Sequence, residues 1–364
     1  GTLWRPGVPP PNLRWISTSR TSRTTCGPPA VATMAAHLGL ILSCLAPLAS
    51  ESGCTPDATI LWTNRQSGCP QVPWQMVAAS DPDVISRYRN PVLVNVGANK
   101  GYAAAEFLAI WSQRSVNPKL WHERILEYAH ERNFGFLKYQ PCGVCNACRL
   151  RTPARHQRSG GSVRMLELLE SNRELLRHLI NSTGIGDIAK VHDLAASNVT
   201  HSVHAPRGYA GMEFLAVQEG TNKKQPNLEA VALDDLFARE GLGEAYLVSI
   251  DTEGSDALVL EGMQRLLRQG AVGFLEFEVG ANKGYWREDH PERRHLGTTI
   301  RRLLAFGYFC FFEAGHQLAP ISGQCWSDTL AFPPWANVLC AKEGTPALRV
   351  LWQVASAGSR AGKM

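Results

Sequence analysis

Short apolar runs, many of them rich in β-branched residues, alternate with segments of helical periodicity from about residue 91 onwards. This alternation is typical of a parallel β-sheet covered by α-helices. The runs predict strands at 92–96, 163–168, 189–194, 246–250, 272–278, 307–313 and 336–341. The sequence therefore predicts an α/β fold with a doubly wound sheet.

Between the predicted strands, apolar side chains recur every three to four residues, which predicts amphipathic helices. The helical segments are 101–111, 121–133, 172–180 and 255–268. Gly270 follows the last segment and is a candidate C-terminal cap. The pattern also predicts a hairpin-like pair of short strands at 212–217 and 229–233.

Changes in composition and hydrophobic pattern divide the chain into four parts. These are a leader or targeting segment at 1–50, an N-terminal extension at 51–90, the main domain at 91–345 and a C-terminal tail at 346–364. Residues 112–162 form an insert in the main domain, with cysteines near its centre. A structureless loop of this length is unusual in a compact domain, so we expect the insert to fold over one edge of the sheet.

The leader contains four arginines and no acidic residue. Its apolar run, Ala35 to Ser50, has the length of a signal-peptide core and is too short to span a bilayer comfortably. An organelle transit peptide is an alternative interpretation. We expect a secretory or extracellular location, with an organelle or the cytoplasm as alternatives, and no stable transmembrane span.

Composition and charge narrow the function classes. With 44% hydrophobic and 19% charged residues, the chain has the balance of a globular protein and not of a disordered one. The net charge is +5, but the leader alone contributes +4, so the rest of the chain is nearly neutral. Nucleic-acid-binding proteins concentrate Lys and Arg on one surface, so we expect no nucleic-acid partner.

Eight cysteines follow the leader, which is compatible with disulfides formed in an oxidising compartment. Cys142, Cys145, Cys148 and His156 could also form a zinc site, but their spacing is not a standard one. Disulfides or free thiols are therefore favoured over zinc or an iron–sulfur cluster, and no metal ligand is assigned.

The first strand runs into a glycine loop, residues 97–101, that opens a helix. Ligands of open α/β sheets bind beyond the carboxyl ends of the strands, where such a loop lets the backbone approach them. The Gly-x-x-x-Gly pattern lacks the middle glycine of dinucleotide-binding loops, which disfavours a nicotinamide oxidoreductase. The heptapeptide at 96–102 recurs at 279–285 without a comparable helix start, so we assign the cofactor to the first copy. The second copy is either a chance repeat or a loop on the substrate side.

Acidic residues follow three of the predicted strands. Glu167, with Glu170 as the alternative, could accept both hydroxyls of a ribose. Asp251 and Glu253 follow the strand at 246–250, and Glu276 and Glu278 end the next one, so as many as four carboxylates are expected to converge. Clustered carboxylates suit base catalysis or metal binding, although Asp251 could also cap the following helix.

In order along the chain, these motifs resemble the FkbM family of S-adenosylmethionine-dependent methyltransferases. The resemblance covers about residues 91–342 and is most specific in the glycine loop and in Ile250 to Gly254. The other matching segments are Glu167, Ala195 to Asn198, Leu233 to Leu236, Leu260 to Gly262 and Asn337 to Leu339.

The resemblance implies a Rossmann-like, seven-stranded class I methyltransferase sheet with helices on both faces and an antiparallel last strand. It implies S-adenosyl-L-methionine as the cofactor and transfer of its methyl group, usually to a hydroxyl of a glycan, lipid or small metabolite. Carried over by position, the cofactor-binding residues are Asn95, Gly97, Ala98, Asn99, Gly101, Glu167, Ala196 and Asp251. The catalytic residues implied in the same way are Asp251, Glu253 and Glu278.

Two positions depart from the family pattern. Asn95 stands where the family usually has Asp, which removes a negative charge that could help to place the cofactor's ammonium group. Leu168 stands where a Pro commonly follows the ribose acid. The alternative function is a non-catalytic S-adenosylmethionine-binding or interaction protein on the same fold.

Overall fold

The computed structural model describes residues 74–134, 137, 141–142, 160–205, 208, 210–211, 227–314, 317–331, 333 and 335–361, all within the compact unit Ser50–Met364. The predicted leader, the strand at 212–217 and Cys145, Cys148 and His156 lie outside these residues.

Strands in the described residues are numbered in chain order. They are β1 (Val92–Val96), β2 (Ser162–Leu166), β3 (Ala189–His192), β4 (Leu194–Ala196), β5 (His201–His204), β6 (Asn227–Val231), β7 (Ala245–Ile250), β8 (Val272–Val279), β9 (Tyr308–Ala314), β10 (Gln317–Pro320) and β11 (Ala336–Lys342).

The α-helices are numbered in the same way. They are α1 (Trp74–Ser80), α2 (Pro82–Arg87), α3 (Tyr102–Trp111), α4 (Pro118–Glu131), α5 (Glu170–Thr183), α6 (Leu233–Glu240), α7 (Asp256–Glu261), α8 (Gln264–Gln269), α9 (Leu296–Ala305) and α10 (Pro346–Ala361).

The main sheet has the strand order β10-β9-β11-β8-β7-β1-β2-β3 within the described residues. Strands β3, β2, β1, β7 and β8 are mutually parallel, and β11 is antiparallel to both β8 and β9. The seven predicted strands and the antiparallel last strand are confirmed, and the sheet is Rossmann-like. An eighth strand, β10, extends the predicted sheet by pairing with β9 at its edge.

Helices cover both faces of the sheet, because the strands carry apolar side chains on alternate sides. One face packs against α1, α3, α4, α5 and α10, and the other against α6, α7, α8 and α9. On the first face the Trp74 ring lies 4.7 Å from the Phe274 ring, so α1 is fixed onto β8. The N-terminal extension and the C-terminal tail thus both contribute helices to the folded core.

Two predicted elements differ in the structure. The helix expected at 255–268 breaks at Gly262, where a β-carbon would lie 2.1 Å from the Ser197 carbonyl oxygen. The second part, α8, has its own cap, because the Asp234 carboxylate accepts from Arg265 N and Leu266 N. Gly270 caps α8 in the left-handed conformation, as predicted. The strand expected at 229–233 is β6, which pairs with β4 and β5 in a separate small sheet.

The insert contains α4, which begins three residues earlier than predicted and has a side-chain cap at its start. Asn117 precedes Pro118 and accepts from Leu120 N at 2.9 Å, so one of the unpaired N–H groups of the first turn is satisfied.

Disulfides are present between β9 and β11 of the main sheet and in the insert. Cys310 of β9 is bonded to Cys340 of β11, directly opposite in register, and both are fully buried. Cys142 and Cys325 are also disulfide-bonded. The preference for disulfides over a zinc site is therefore supported at Cys142.

No helix in the part of the chain described above is both long enough and apolar enough to cross a membrane.

Candidate functional site

The glycine loop lies where the carboxyl ends of β1, β2 and β7 meet. Gly97 N and Ala98 N both donate to the Leu166 carbonyl oxygen, at 3.0 and 3.1 Å, and Asp251 N donates to the Val96 carbonyl oxygen at 2.9 Å. A β-carbon on Gly97 would lie 1.8 Å from the Asp251 carbonyl oxygen, and the φ of Gly97 is +77°. Only glycine fits this position, so the loop is drawn tightly against the segment that carries Asp251.

The other end of the loop is held by the insert. Gly101 has a φ of +76°, and a β-carbon there would lie 2.7 Å from Leu176 and 3.0 Å from Trp121. The Trp121 indole donates to the Lys100 carbonyl oxygen at 2.7 Å. The insert therefore does more than cover a sheet edge, because α4 supports the start of α3.

Two asparagine side chains, one in β1 and one in the loop itself, carry buried acceptors that have no hydrogen-bond donor among the described residues. Asn95 is 4% exposed, and its Oδ1 has no partner in the structure. The Oδ1 of Asn99 is likewise buried without a partner, and Asn99 adopts a left-handed conformation with a φ of 47°. Such groups are costly to bury unless a bound molecule supplies a donor.

Glu167 follows β2 and ties that strand to the glycine loop. Its carboxylate accepts from Asn99 N at 2.6 Å and from Leu169 N at 2.8 Å. Burial raises the pKa of Glu167, although both backbone donors act to lower it. Glu170 is exposed at the start of α5, so the structure brings Glu167 and not the alternative to the loop.

Ala196 ends β4, next to the loop-bearing sheet. It is 6% exposed and packs in the same core as Leu166 and Val231. Ser197 N donates to the Val231 carbonyl oxygen of β6, and Gly262 packs against the Ser197 carbonyl oxygen. These two contacts fix the segment that follows Ala196.

Three of the four predicted carboxylates converge. Oxygen atoms of Asp251, Glu253 and Glu278 lie within 4.8 Å of one another, which would also suit a metal ion. The expectation that Glu276 joins them is wrong, because Glu276 lies two residues earlier on β8 and is therefore about 7 Å deeper along the sheet.

Lys283 supplies the positive charge of this cluster. Its Nζ donates to both oxygens of Glu278, at 2.8 and 2.7 Å, and to Glu253 at 2.8 Å. The Trp335 indole also donates to Glu278. Burial raises the pKa of Glu278, and the Lys283 charge opposes this increase.

Asp251 combines access to solvent with a strongly raised pKa. Its side chain is exposed, but protein surrounds it closely enough that desolvation, followed by the charges of Glu278 and Glu253, raises its pKa well above the ordinary range. No side chain among the residues of the described ranges donates a hydrogen bond to its carboxylate. Asp251 is therefore an accessible carboxylate with increased basicity.

Two residues of the site, Lys283 and Asp256, were not predicted from the sequence. Lys283 belongs to the second copy of the heptapeptide, which packs onto the first acidic segment through Gly284 and Gly254, with Tyr285 N donating to the Gly254 carbonyl oxygen at 2.9 Å. The second copy thus lies beside the acidic cluster and, as expected, does not open a helix like that of the first copy. The recurrence of the heptapeptide, with Lys283 in the place of Lys100, was the sequence feature that could have indicated this residue.

Asp256 organises the segment between Asp251 and α7. It is fully buried, and its carboxylate accepts from Thr252 Oγ1 and from Gly254 N, both at 3.1 Å. Burial, together with the charge of Glu278, raises the pKa of Asp256 to about 7.

Comparison with known proteins identifies the family. The model of the methyltransferase FkbM domain matches residues 95–308, which is more than half of the chain. The chain belongs to the FkbM methyltransferase family. The FkbM match includes the glycine loop, Glu167 and the Asp251 segment, as the sequence resemblance implied.

Similar solved structures are methyltransferases of low sequence identity. The O-methyltransferase from Bacillus cereus in complex with S-adenosylhomocysteine is 11% identical, with a TM-score of 0.30, over 82% of this chain and 94% of that one. A candidate O-methyltransferase from Klebsiella pneumoniae is 13% identical, with a TM-score of 0.30, over 78% and 88%. A candidate tRNA methyltransferase from Streptococcus pneumoniae is 11% identical, with a TM-score of 0.29, over 74% and 69%. No curated protein matches the sequence significantly.

Proposed function

We propose that this FkbM-family protein transfers the methyl group of S-adenosylmethionine to a hydroxyl oxygen of a glycan, lipid or small metabolite. The observation that carries the proposal is the contact between the glycine loop and Asp251, in which Gly97 lies directly against the Asp251 carbonyl oxygen. This contact brings a nucleoside-binding loop next to an accessible carboxylate of raised pKa.

The residues around the loop fit the cofactor. The orphaned Oδ1 atoms of Asn95 and Asn99 would accept from the ammonium group of its methionine part. Glu167 accepts from two backbone N–H groups and from the Asn172 side chain, and would use its remaining acceptor capacity for a ribose hydroxyl. Gly97, Ala98 and Gly101 would line the methionine part, with Ala196 near the nucleoside. When bound, S-adenosylmethionine supplies an electrophilic methyl group.

The chain supplies the catalytic base and positions the acceptor hydroxyl. Asp251 would accept the proton of the acceptor hydroxyl, because its carboxylate is accessible and burial raises its pKa well above that of an ordinary aspartate. Glu253 and Glu278 would face the same acceptor, with Lys283 holding them in place. Placing the hydroxyl next to one base can account for most of the catalysis of such a displacement.

The direct test is methyl transfer by the full chain. We would incubate it with tritiated S-adenosylmethionine and a panel of hydroxyl-bearing glycans, lipids and metabolites, and measure labelled product and released S-adenosylhomocysteine. Asp251→Asn is expected to lose at least roughly a hundredfold in transfer with nearly unchanged affinity for S-adenosylhomocysteine. Asp289→Asn, at an exposed ion pair with Arg287, is the matched control and should behave like the wild type.

A fully active Asp251→Asn protein would remove Asp251 from the role of base. Binding of S-adenosylhomocysteine without transfer to any acceptor in the panel would instead favour a non-catalytic protein on this fold.

A further inference from the structure

An exposed asparagine at the end of α5 stands in a sequence that accepts N-linked glycans. Asn181, Ser182 and Thr183 match the Asn-x-Ser/Thr acceptor pattern, in which the middle residue is not proline. A glycan is bulky and hydrophilic, so the folded protein accommodates it only on an asparagine at the surface. Asn181 and Ser182 are both exposed, and Asn181 therefore meets this requirement.

The last turn of α5 holds Asn181 on its outer side. Leu179 and Ile180, the two residues before it, are buried in the core. The chain then turns at Gly184, which has a φ of 65° and donates from its N–H to the Asn181 carbonyl oxygen at 3.2 Å. Gly184 and Gly186 are exposed, and a β-carbon on Gly184 would have nothing within 4 Å. The surroundings of Asn181 are thus open to solvent.

The polar side chains of the acceptor pattern differ in their contacts. The Thr183 hydroxyl donates to the Leu179 carbonyl oxygen at 2.6 Å, a common contact of threonine within a helix. The Asn181 amide, by contrast, forms no hydrogen bond with another side chain or backbone group of the described residues. Its nitrogen can therefore carry a sugar without the loss of a contact that holds the fold together.

The end of α5 lies at the edge of the sheet opposite to the candidate site. This helix begins at Glu170, three residues after Glu167, and leads to β3, which starts at Ala189. A helix between two parallel strands returns the chain to the edge where the strands begin. Asn181 is roughly 16 Å from Glu170 along the helix axis. A glycan on Asn181 would therefore leave the glycine loop and Asp251 uncovered.

A second acceptor pattern, which begins at Asn198 and ends at Thr200, has a different setting. Asn198 is half-buried, and Gly262 packs against the backbone of Ser197 and Asn198. The Thr200 hydroxyl donates to the Asp235 carboxylate at 2.6 Å. This segment is fixed against the helix layer, so it offers a glycan less space than the end of α5 does.

The disulfides favour a chain that passes through the compartment where N-linked glycans are added. Cys142, Cys310, Cys325 and Cys340 are disulfide-bonded. Disulfides form and persist in the lumen of the endoplasmic reticulum and outside the cell, and they are rare in the cytosol. A secretory leader, which the sequence favours, would direct the chain to the same lumen.

We propose that Asn181 is an N-glycosylation site. The Nδ2 atom of Asn181 attacks C1 of the first N-acetylglucosamine of a lipid-pyrophosphate-linked oligosaccharide, the donor of this modification. The new bond between Nδ2 and C1 replaces the bond between C1 and the pyrophosphate oxygen. The lipid pyrophosphate leaves, and one amide proton passes to a base of the transferase.

The test maps glycans on the full chain produced in a eukaryotic cell line. The enzyme PNGase F removes an N-linked glycan and converts the linked asparagine to aspartate, and in heavy-oxygen water the new carboxylate carries a mass label. Trypsin then separates the two acceptor patterns, since Asn181 lies in the peptide His178–Lys190 and Asn198 in the peptide Val191–Arg207. A sample without PNGase F corrects for spontaneous deamidation.

Two variants remove the acceptor pattern and one matched control keeps it. Asn181→Gln removes the acceptor nitrogen from its position, and Thr183→Ala removes the required hydroxyl. Thr183→Ser is the control, because serine keeps both the acceptor pattern and a hydroxyl that can reach the Leu179 carbonyl oxygen.

We expect label in the peptide 178–190 of the wild type and of Thr183→Ser, and no label there in Asn181→Gln or Thr183→Ala. On denaturing gels these two variants should migrate faster than the wild type by the mass of one glycan. Treatment with PNGase F should abolish that difference.

An unlabelled peptide 178–190 in the wild type would overturn the inference, and this result does not depend on the folding of any variant. Label confined to the peptide that contains Asn198 would overturn it in favour of that position. Label at Asn181 that persists in Thr183→Ala would also overturn it, because the modification would not follow the acceptor pattern. No readout involves a cofactor or a methyl acceptor, so failure of this inference would not bear on the proposed function.

Discussion

The Lys283 ammonium group donates to both carboxylate oxygens of Glu278, at 2.8 and 2.7 Å. Lys283 comes from a loop that follows β8, and Glu278 is one residue before the end of that strand. The lysine charge lowers the pKa of Glu278 and of Asp251, in opposition to burial and to the neighbouring carboxylates. Lys283 thus helps to keep the cluster ionised near neutral pH.

Replacing Lys283 should change the pH dependence of methyl transfer. In Lys283→Met the pKa values of Glu278 and Asp251 rise, so the base is deprotonated only at higher pH. We expect the acidic limb of the kcat/KM profile to move upward by about one pH unit or more. Lys190→Met removes an exposed lysine that pairs with Glu240 at 2.7 Å and should leave the profile unchanged. An unshifted profile in Lys283→Met would contradict this role.

The buried carboxyls of Glu106 and Glu276 should also make stability depend on pH. Burial raises the pKa of Glu276 from 4.5 to about 7, and that of Glu106 likewise to about 7. The folded state therefore holds these protons more tightly than the unfolded state, and stability is lost as the pH rises from about 4.5 to about 7. Glu276→Gln should raise the free energy of unfolding by on the order of 2 kcal/mol at pH 8 and by little at pH 4.5.

Urea denaturation of the wild type and Glu276→Gln across this pH range measures the difference directly. Glu343→Gln, at an exposed position, should show no such trend. A difference that is constant with pH would show that Glu276 is ionised to the same extent in the folded and unfolded states.

The Cys310–Cys340 disulfide should contribute to stability because it closes a loop in the unfolded chain. The two cysteines are separated by 30 residues, for which the chain-entropy estimate is about 3 to 4 kcal/mol. The double variant Cys310→Ala, Cys340→Ala should unfold at a lower temperature, measured by differential scanning calorimetry. Adding a reductant should lower the Tm of the wild type by more than that of the double variant, since other disulfides are present in both. Equal Tm values for the two oxidised proteins would contradict the expected contribution.

The sheet could be predicted from the sequence because its strands are buried on both faces and are therefore continuous apolar runs. Val92–Val96 and Ala245–Ile250 show this clearly, and the loop after the first of them is identified by Gly97 and Gly101. Strand β10 is short, lies at the edge and carries Pro320, so its sequence does not resemble that of a central strand.

The candidate site was predicted less completely, because its contacts join segments far apart in the chain. Lys283 meets Glu253 only after β7 and β8 pair, and apart from the repeated heptapeptide nothing in the sequence distinguishes it from a solvated lysine. Glu313 was predicted within a strand, but its place beside Asn337 depends on the register of β9 against β11. Glu276 was expected in the cluster because it stands, like Glu278, near the end of the predicted strand, but the rise between the two residues along β8 separates them.

The most direct test of the account is calorimetric titration of S-adenosylhomocysteine into the full chain and into variants of the glycine loop. Gly97→Ala places a β-carbon 1.8 Å from the Asp251 carbonyl oxygen and should lose measurable binding. Gly184→Ala is the matched control, because Gly184 has a φ of +65° with nothing within 4 Å of the added carbon, so it introduces backbone strain alone. Asn95→Leu keeps the volume of a buried side chain and removes its unpaired acceptor.

We predict micromolar binding by the wild type and Gly184→Ala, none by Gly97→Ala, and binding weakened by roughly tenfold in Asn95→Leu. Absence of binding by the folded wild type, or wild-type affinity in both Gly97→Ala and Asn95→Leu, would contradict the account.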